Sequence, residues 1–244
     1  MGRIDDLRRF YKILDRHQAA IGGARLLADE EARLGLPPRG VYFFFEPGEL
    51  RSNSGSGPRV VRVGTHAVSR GAKSTLWSRL AQHRGTLKTG GGNHRGSVFR
   101  YWIGKALIRK NPRFKTDFPD WDFGSSAPSE ISLNEQPMEK NVSRHIRQMP
   151  FLWLSVDDAP GPKSRRKLLE KNCIALLSNY TADRFLDQPS PGWLGLFCPE
   201  ERISKSGLWN SRHVDEDYAP EFLTILEALV KQGASGPPGS GKRR

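Results

Sequence analysis

Arg79 and His83 sit four residues apart in a stretch whose other spaced positions, Leu76 and Leu80, are apolar, so the four share one helix face. Arginine is rarely buried without a partner. Either an internal salt bridge lies there, or the apolar stripe ends at a cleft that holds a phosphate. Glu170 poses the same problem with opposite sign: with Cys173, Ile174 and Leu177 it falls at i, i+3, i+4 and i+7. A surface carboxylate beside its own helix dipole is the plain alternative. An acid on an inward face is better explained by a cation or a divalent metal. Tyr42 lies in the apolar run Val41-Tyr42-Phe43-Phe44-Phe45 and points away from the side taken by Val41 and Phe43. Taken alone it reads as a core or edge tyrosine. Together, a guanidinium that could meet a phosphate and a carboxylate that could hold a metal supply two needs of phosphoryl chemistry, charge neutralisation and a metal anchor.

The elements that must bring these groups together can be read in outline. Ile4, Leu7, Phe10, Tyr11 and Leu14 recur at helical spacing, Gly22-Gly23 supplies a stop, and a short helical stretch follows to about Leu34. Pro37-Pro38 forces an extended entry into a buried strand over 40–45. A Ser/Gly-rich loop over 52–58 returns the chain as an antiparallel strand over 59–64. Ser74 or Thr75 caps the helix that carries Arg79 and His83. In 85–149, Gly90-Gly91-Gly92 is a break, 98–108 reads as helical and 111–130 as loop. A third strand is predicted over 151–156, a long helix bearing Glu170 over 164–180, and a short strand over 193–197. Pro220 opens a last helix with an apolar stripe of Phe222, Ile225, Leu226 and Leu229. The fold class expected is α/β: a small, mostly antiparallel three-stranded sheet flanked by helices, with N-terminal helices, a basic insertion and a C-terminal helix. One domain over 1–232 is expected, with its core at 39–84 and 150–180, an insertion at 85–149 and a disordered tail at 233–244.

The formal net charge of +13 is unevenly placed. Residues 51–116 hold fifteen Lys or Arg and no Asp or Glu, while the other 24 basic and 26 acidic residues balance at −2. A mixed-sign surface is the ordinary outcome, so this segment points to a polyanion, and nucleic acid is the natural one. Cys173 and Cys198 show no metal-ligand spacing and read as buried free thiols of a reducing, cytoplasmic compartment. No apolar run approaches the length of a membrane span, and the N-terminus lacks an apolar leader.

Gly40-Val41-Tyr42, then Arg62-Val63-Gly64, then the Arg79/His83 helix, then Leu168-Leu169-Glu170-Lys171-Asn172-Cys173-Ile174 follow one another in an order and spacing that resembles the GIY-YIG nuclease superfamily, especially its restriction-endonuclease-like members. The resemblance covers chiefly 39–84 and 150–180. It implies metal-dependent endonuclease cleavage of DNA, in restriction, phage defence or repair, with 5′-phosphate and 3′-hydroxyl products. Tyr42 would deprotonate the attacking water, Arg79 would stabilise charge on the phosphoryl group, and His83 would orient Tyr42 or help deprotonate it. Glu170 would be the carboxylate ligand of Mg²⁺ or Mn²⁺. Arg62 departs from the family, which has a tyrosine there; arginine could bind the phosphate directly. The family's bracing asparagine has two candidates, Asn179 and Asn210, since its usual spacing lands near Ala182.

Within the basic segment, Lys88, Asn93, His94, Arg95, Arg100 and Lys105 are the residues expected to contact nucleic acid. An RNA substrate and a homodimer stay open. The alternative function is a nuclease-derived module that grips nucleic acid without cutting it, a reading favoured by the Arg62 departure. Gly236 to Lys242 matches a phosphate-loop string but lacks the following Ser or Thr and the next helix. Asp120, Asp122, Asp157 and Asp158 read as turn or cap residues, and His17, His66, His145 and His213 as ordinary ones.

Overall fold

The computed structural model describes residues 2–181 and 186–234. Of the tail expected at 233–244, residues 233 and 234 belong instead to the last helix, and the part from residue 235 onward lies outside the described residues, as do the Gly236 to Lys242 string and Ala182. Four strands, β1 (Arg25–Leu26), β2 (Gly40–Leu50), β3 (Pro58–Gly64) and β4 (Pro150–Ser155), form one sheet in the order β1-β4-β2-β3, with every pairing antiparallel. Three strands were expected. The fourth is two residues long, pairing Arg25 with Phe151 and Leu26 with Pro150, and so short a strand leaves no alternation to read.

The helices among the described residues are α1 (Arg3–Ala20), α2 (Leu76–Arg84), α3 (Val98–Lys110), α4 (Pro112–Asp117), α5 (Ser129–Asn134), α6 (Gln136–Arg147), α7 (Arg165–Leu177), α8 (Glu201–Ser206) and α9 (Phe222–Ala234). Period-two alternation in β2 sends Val41, Phe43 and Phe45 to one face, where Leu152 and Leu154 join them against α1, α7 and α9. Tyr42 and Phe44 go to the other face, with Leu76 and Leu80 of α2, Phe99 and Ile103 of α3, and Val142 and Ile146 of α6. The sheet is therefore buried on both sides, which is why β2 reads as an unbroken apolar run. Much of 85–149 forms this second layer and shares its core.

Two local expectations are corrected. Residues 111–130 contain α4, which has Pro112 in its first turn and is capped by the Asn111 side chain. The predicted strand at 193–197 is instead a 3₁₀ turn, Leu194–Phe197. A four-residue apolar run does not distinguish the two by period. The Trp193 ring packs over Gly195, and its indole donates to Glu46 at 2.9 Å.

Candidate active site

Tyr42 is placed by register. It lies directly across from Gly64 on β3, with Phe44 across from Arg62, so Tyr42 and Arg62 project from the same face on adjacent strands. A bulge between Phe44 and Phe45 shifts the register to Val60, so consecutive residues Val61 and Arg62 both meet this layer. A Cβ at residue 64 would overlap the Tyr42 hydroxyl, and one at residue 40 would overlap the Leu154 carbonyl. Glycine in both motifs thus reflects close approach rather than an unusual backbone angle. The Arg62 guanidinium stacks over Phe99, donates to the Trp209 carbonyl at 2.6 Å and reaches the Tyr42 oxygen.

The helix α2 begins at Thr75, whose hydroxyl accepts from Ser78 N while Ser78 Oγ accepts from Thr75 N. Its inward face carries Leu76, Leu80 and His83, all buried. His83 Nε2 lies 2.8 Å from the Tyr42 hydroxyl and Nδ1 lies 2.8 Å from Ser97 Oγ. Arg79 sits on the flank of this face, half-buried, donating to Gln82 Oε1 at 3.0 Å and to the Gly96 carbonyl at 3.4 Å. No carboxylate pairs with it among the described residues, so the internal salt bridge is not what holds it. Arg79 instead lines a cleft of about 350 Å³ with Thr65, His66, Ser74, Ser78 and Gln82.

The carboxylate arrives from the opposite layer. Ser164 caps α7 through Lys167 N, and Glu170 Oε1 accepts the Thr65 N–H at 3.2 Å, just past the end of β3. Thr65 is tied in turn to the Gly40 carbonyl through its hydroxyl at 2.8 Å. The edge of β3 is covered by the segment carrying Trp209 and Asn210. Trp209 N donates to the Val61 carbonyl at 2.7 Å, and the Asn210 amide accepts from Val63 N at 3.1 Å and donates to Val63 O at 2.8 Å. Asn210 acts as a surrogate strand between Arg62 and Gly64. Asn179 instead binds the backbone of Leu186 and Asp187.

These groups form one electrostatic unit. Burial raises Glu170 above the usual carboxylate range, opposed by Arg62, the Thr65 N–H, His213 and Arg79. Burial also drives His83 well below the usual imidazole value, and Arg62, Arg79 and Arg100 push it the same way, so the ring is neutral. Arg62 is lowered by burial and supported by Tyr42 and Glu170, while Arg79 repels it. Tyr42, Arg62, Arg79, His83 and Glu170, drawn from β2, β3, α2 and α7, converge at the end of the β2–β3 ladder. Among the described residues no three His, Cys, Asp or Glu side chains cluster to hold a metal ion.

The expected nucleic-acid contacts fare differently. Arg100 is fully buried; it is clamped on Glu139, donates to the His83 carbonyl at 2.8 Å and to Ser143 Oγ at 2.9 Å. His94 is buried against Glu139 at 2.9 Å and stacks on Trp121. Neither faces a ligand, because an acid from α6 claims both. Arg95 makes a two-pronged pair with Glu135 and Lys105 pairs with Asp122 at 2.6 Å. Asn93 caps a 3₁₀ turn through Arg95 N at 2.9 Å. Lys88 is exposed, with no ion pair among the described residues. Sequence reasoning missed Ser97, Thr65 and the Trp209 carbonyl; Ser97 had a signal as a serine before a helical stretch, while backbone groups have none.

A family model described as GIY-YIG domain matches residues 1–235. No curated protein and no solved structure matches the chain. No helix among the described residues is long and apolar enough to cross a membrane.

Proposed function

The chain belongs to the GIY-YIG domain family, and from that premise we propose that it is a metal-dependent endonuclease that hydrolyses phosphodiester bonds of DNA, in a restriction, phage-defence or repair role. The observation that carries this reading is the linkage of buried Tyr42, Arg62, His83 and Glu170, by hydrogen bonds and electrostatics, to Arg79 and Thr65, which line the cleft. Water attacks phosphorus in line with the leaving oxygen, and the Tyr42 oxygen, as phenolate, takes the water's proton. His83 and Arg62 both reach that oxygen, which is the arrangement a group bearing negative charge requires. Arg79 has no carboxylate partner among the described residues and neutralises the phosphoryl oxygens as charge builds on them. Glu170 has one oxygen held by Thr65 and would hold Mg²⁺ or Mn²⁺, a fit for a cation that keeps several waters and takes few protein carboxylates. Such an ion supplies charge neutralisation and assistance to the leaving oxygen. Arg62, in the position of a family tyrosine, keeps a donor at the Tyr42 oxygen, which favours cutting over binding alone.

The test is cleavage of duplex DNA, single strands and RNA in Mg²⁺ or Mn²⁺, with 5′ ends assayed by ligation. Wild type is expected to cut, chelation to stop it, and Tyr42→Phe to slow it by about 10²-fold or more while binding persists. Glu170→Gln is expected to bind DNA without cutting and to lose the rise in melting temperature that the metal gives wild type. Binding without cutting by wild type in either metal would replace the enzyme with the binding module.

A further inference from the structure

The chain leaving β3 does not continue as a strand would. His66 and Ala67 are consecutive, yet both of their carbonyls accept from one guanidinium, that of Arg166, at 2.7 and 3.3 Å. Along an extended chain successive carbonyls point to opposite sides. Ala67, which joins these two peptides, has a φ of 48°, in the left-handed region that residues with a Cβ seldom visit. That turn brings both carbonyls to one side. The next carbonyl, of Val68, accepts the Gly161 N–H at 2.9 Å. A trans peptide is planar and its N–H points opposite to its C=O. The N–H groups of Ala67, Val68 and Ser69 therefore point away from Arg166 and Gly161. None of the three has an acceptor among the described residues.

On their open side lies the cleft of about 350 Å³. Ala67, Val68 and Ser69 line it, whereas Arg166 and Gly161 do not. Its remaining wall includes Ser74, Ser78 and Arg79, and no acidic residue lines it. The turn is held from behind by α7. Arg166 is fully buried and paired with Asp158, and Glu170, one turn further on the same face, accepts the Thr65 N–H. Successive N–H groups arranged by a left-handed residue make a concavity suited to an anion. An alanine held at positive φ is strain of the kind that gathers at ligand sites. We propose that the turn over His66–Ser69 is a phosphate-binding nest, in which the N–H groups of Ala67, Val68 and Ser69 grip the oxygens of a backbone phosphate of the nucleic-acid strand in the cleft that Arg79 also lines. The identity of the ligand as a nucleic-acid phosphate rests on the nuclease reading; the nest itself rests on the backbone geometry.

The test follows the backbone amides of ¹⁵N-labelled protein by NMR during titration with inorganic phosphate at constant ionic strength, with chloride as the control. The amide protons of Ala67, Val68 and Ser69 are expected to move downfield and saturate with phosphate and to stay in place with chloride. A short DNA duplex added without divalent metal should move the same three. Ala67→Gly, at ease at that φ, should keep the phosphate affinity, while Ala67→Val, whose branched side chain disfavours it, should lower the affinity at least about tenfold. Three amides that do not respond to phosphate, or a folded Ala67→Val protein with wild-type affinity, overturn the proposal. The wild-type titration decides the matter even if Ala67→Val does not fold. A protein that cuts DNA but shows no amide response loses the nest and keeps the nuclease reading. One whose amides respond to phosphate but which cuts nothing keeps the nest and loses the nuclease.

Discussion

Gly64 stands where the Tyr42 ring occupies the space a Cβ would need, with the phenol lying across the strand from it. Gly64→Ala must push the ring aside, and the neighbours His83, Phe44 and Phe99 form a closed aromatic group that gives little room. The expected cost is about 1–3 kcal/mol of stability, with a loss of cleavage at temperatures where the protein remains folded. Denaturant titration beside a cleavage assay checks both, and an active Gly64→Ala protein of unchanged stability would refute the packing account. Arg62 can be probed at the same scale. Arg62→Lys keeps the charge but not the planar fork that spans the Trp209 carbonyl and Tyr42. It should bind DNA like wild type and cut it at least about tenfold more slowly. Equal rates would remove Arg62 from the reacting group.

Among the elements, the ion pair between α3 and α6 carries more structure than its sequence suggested. Arg100 joins Glu139, Ser143 and the end of α2, all out of solvent. Arg100→Met leaves Glu139 paired only with His94, so a loss of about 3–5 kcal/mol is expected, seen as a lower denaturation midpoint. Strands β2, β3 and β4, the cap of α2, and the inward faces bearing His83 and Glu170 were legible because each follows from a short-range period or spacing. What was not legible depended on partners far along the chain. The acids that neutralise Arg95, Arg100 and Lys105 come from residues 122–139, and nothing in the acid-free run 51–116 reveals them. Ser97 and Asn210 likewise gain their roles from residues 14 and 147 positions away. The segment after β3 adds a pH effect. Burial lowers His66 to about 4, aided by Arg166, Arg39 and Arg79, while its Nδ1–H donates to the Ser74 carbonyl at 3.0 Å. Above pH 6.5 His66 is neutral in folded and unfolded chains alike; as pH falls from 6.5 toward 4 only the unfolded chain takes up the proton, so stability is lost across that window. His66→Gln should flatten this part of the stability–pH curve, measured by denaturant midpoints; an unchanged slope would contradict it.

For the molecule as a whole, net charge sets how it meets a polyanion, and pairing decides which cations take part. Arg51, Arg59, Arg95, Arg100 and Lys105 of the acid-free run all have carboxylate partners. Arg70, Lys73, Lys88, Arg109, Arg113 and Lys115 are exposed with no ion pair among the described residues. Only a cation that displaces counterions from phosphate contributes to the fall of affinity with salt, and each such contact adds about 0.9 to the slope of log K against log salt on duplex DNA. A paired cation contributes little, because binding phosphate would strand its carboxylate. Lys88→Ala should therefore reduce the slope by about 1, while Arg95→Ala, whose side chain is held by Glu135 and the Gly124 carbonyl, should leave it unchanged. The measurement is fluorescence anisotropy of one labelled duplex over a range of salt, with the Glu170→Gln background used to prevent cutting. A slope that drops for Arg95→Ala but not for Lys88→Ala would mean that DNA breaks the Arg95–Glu135 pair on binding, and the binding face would then lie along the turn at His94–Gly96 rather than over the loop that carries Lys88.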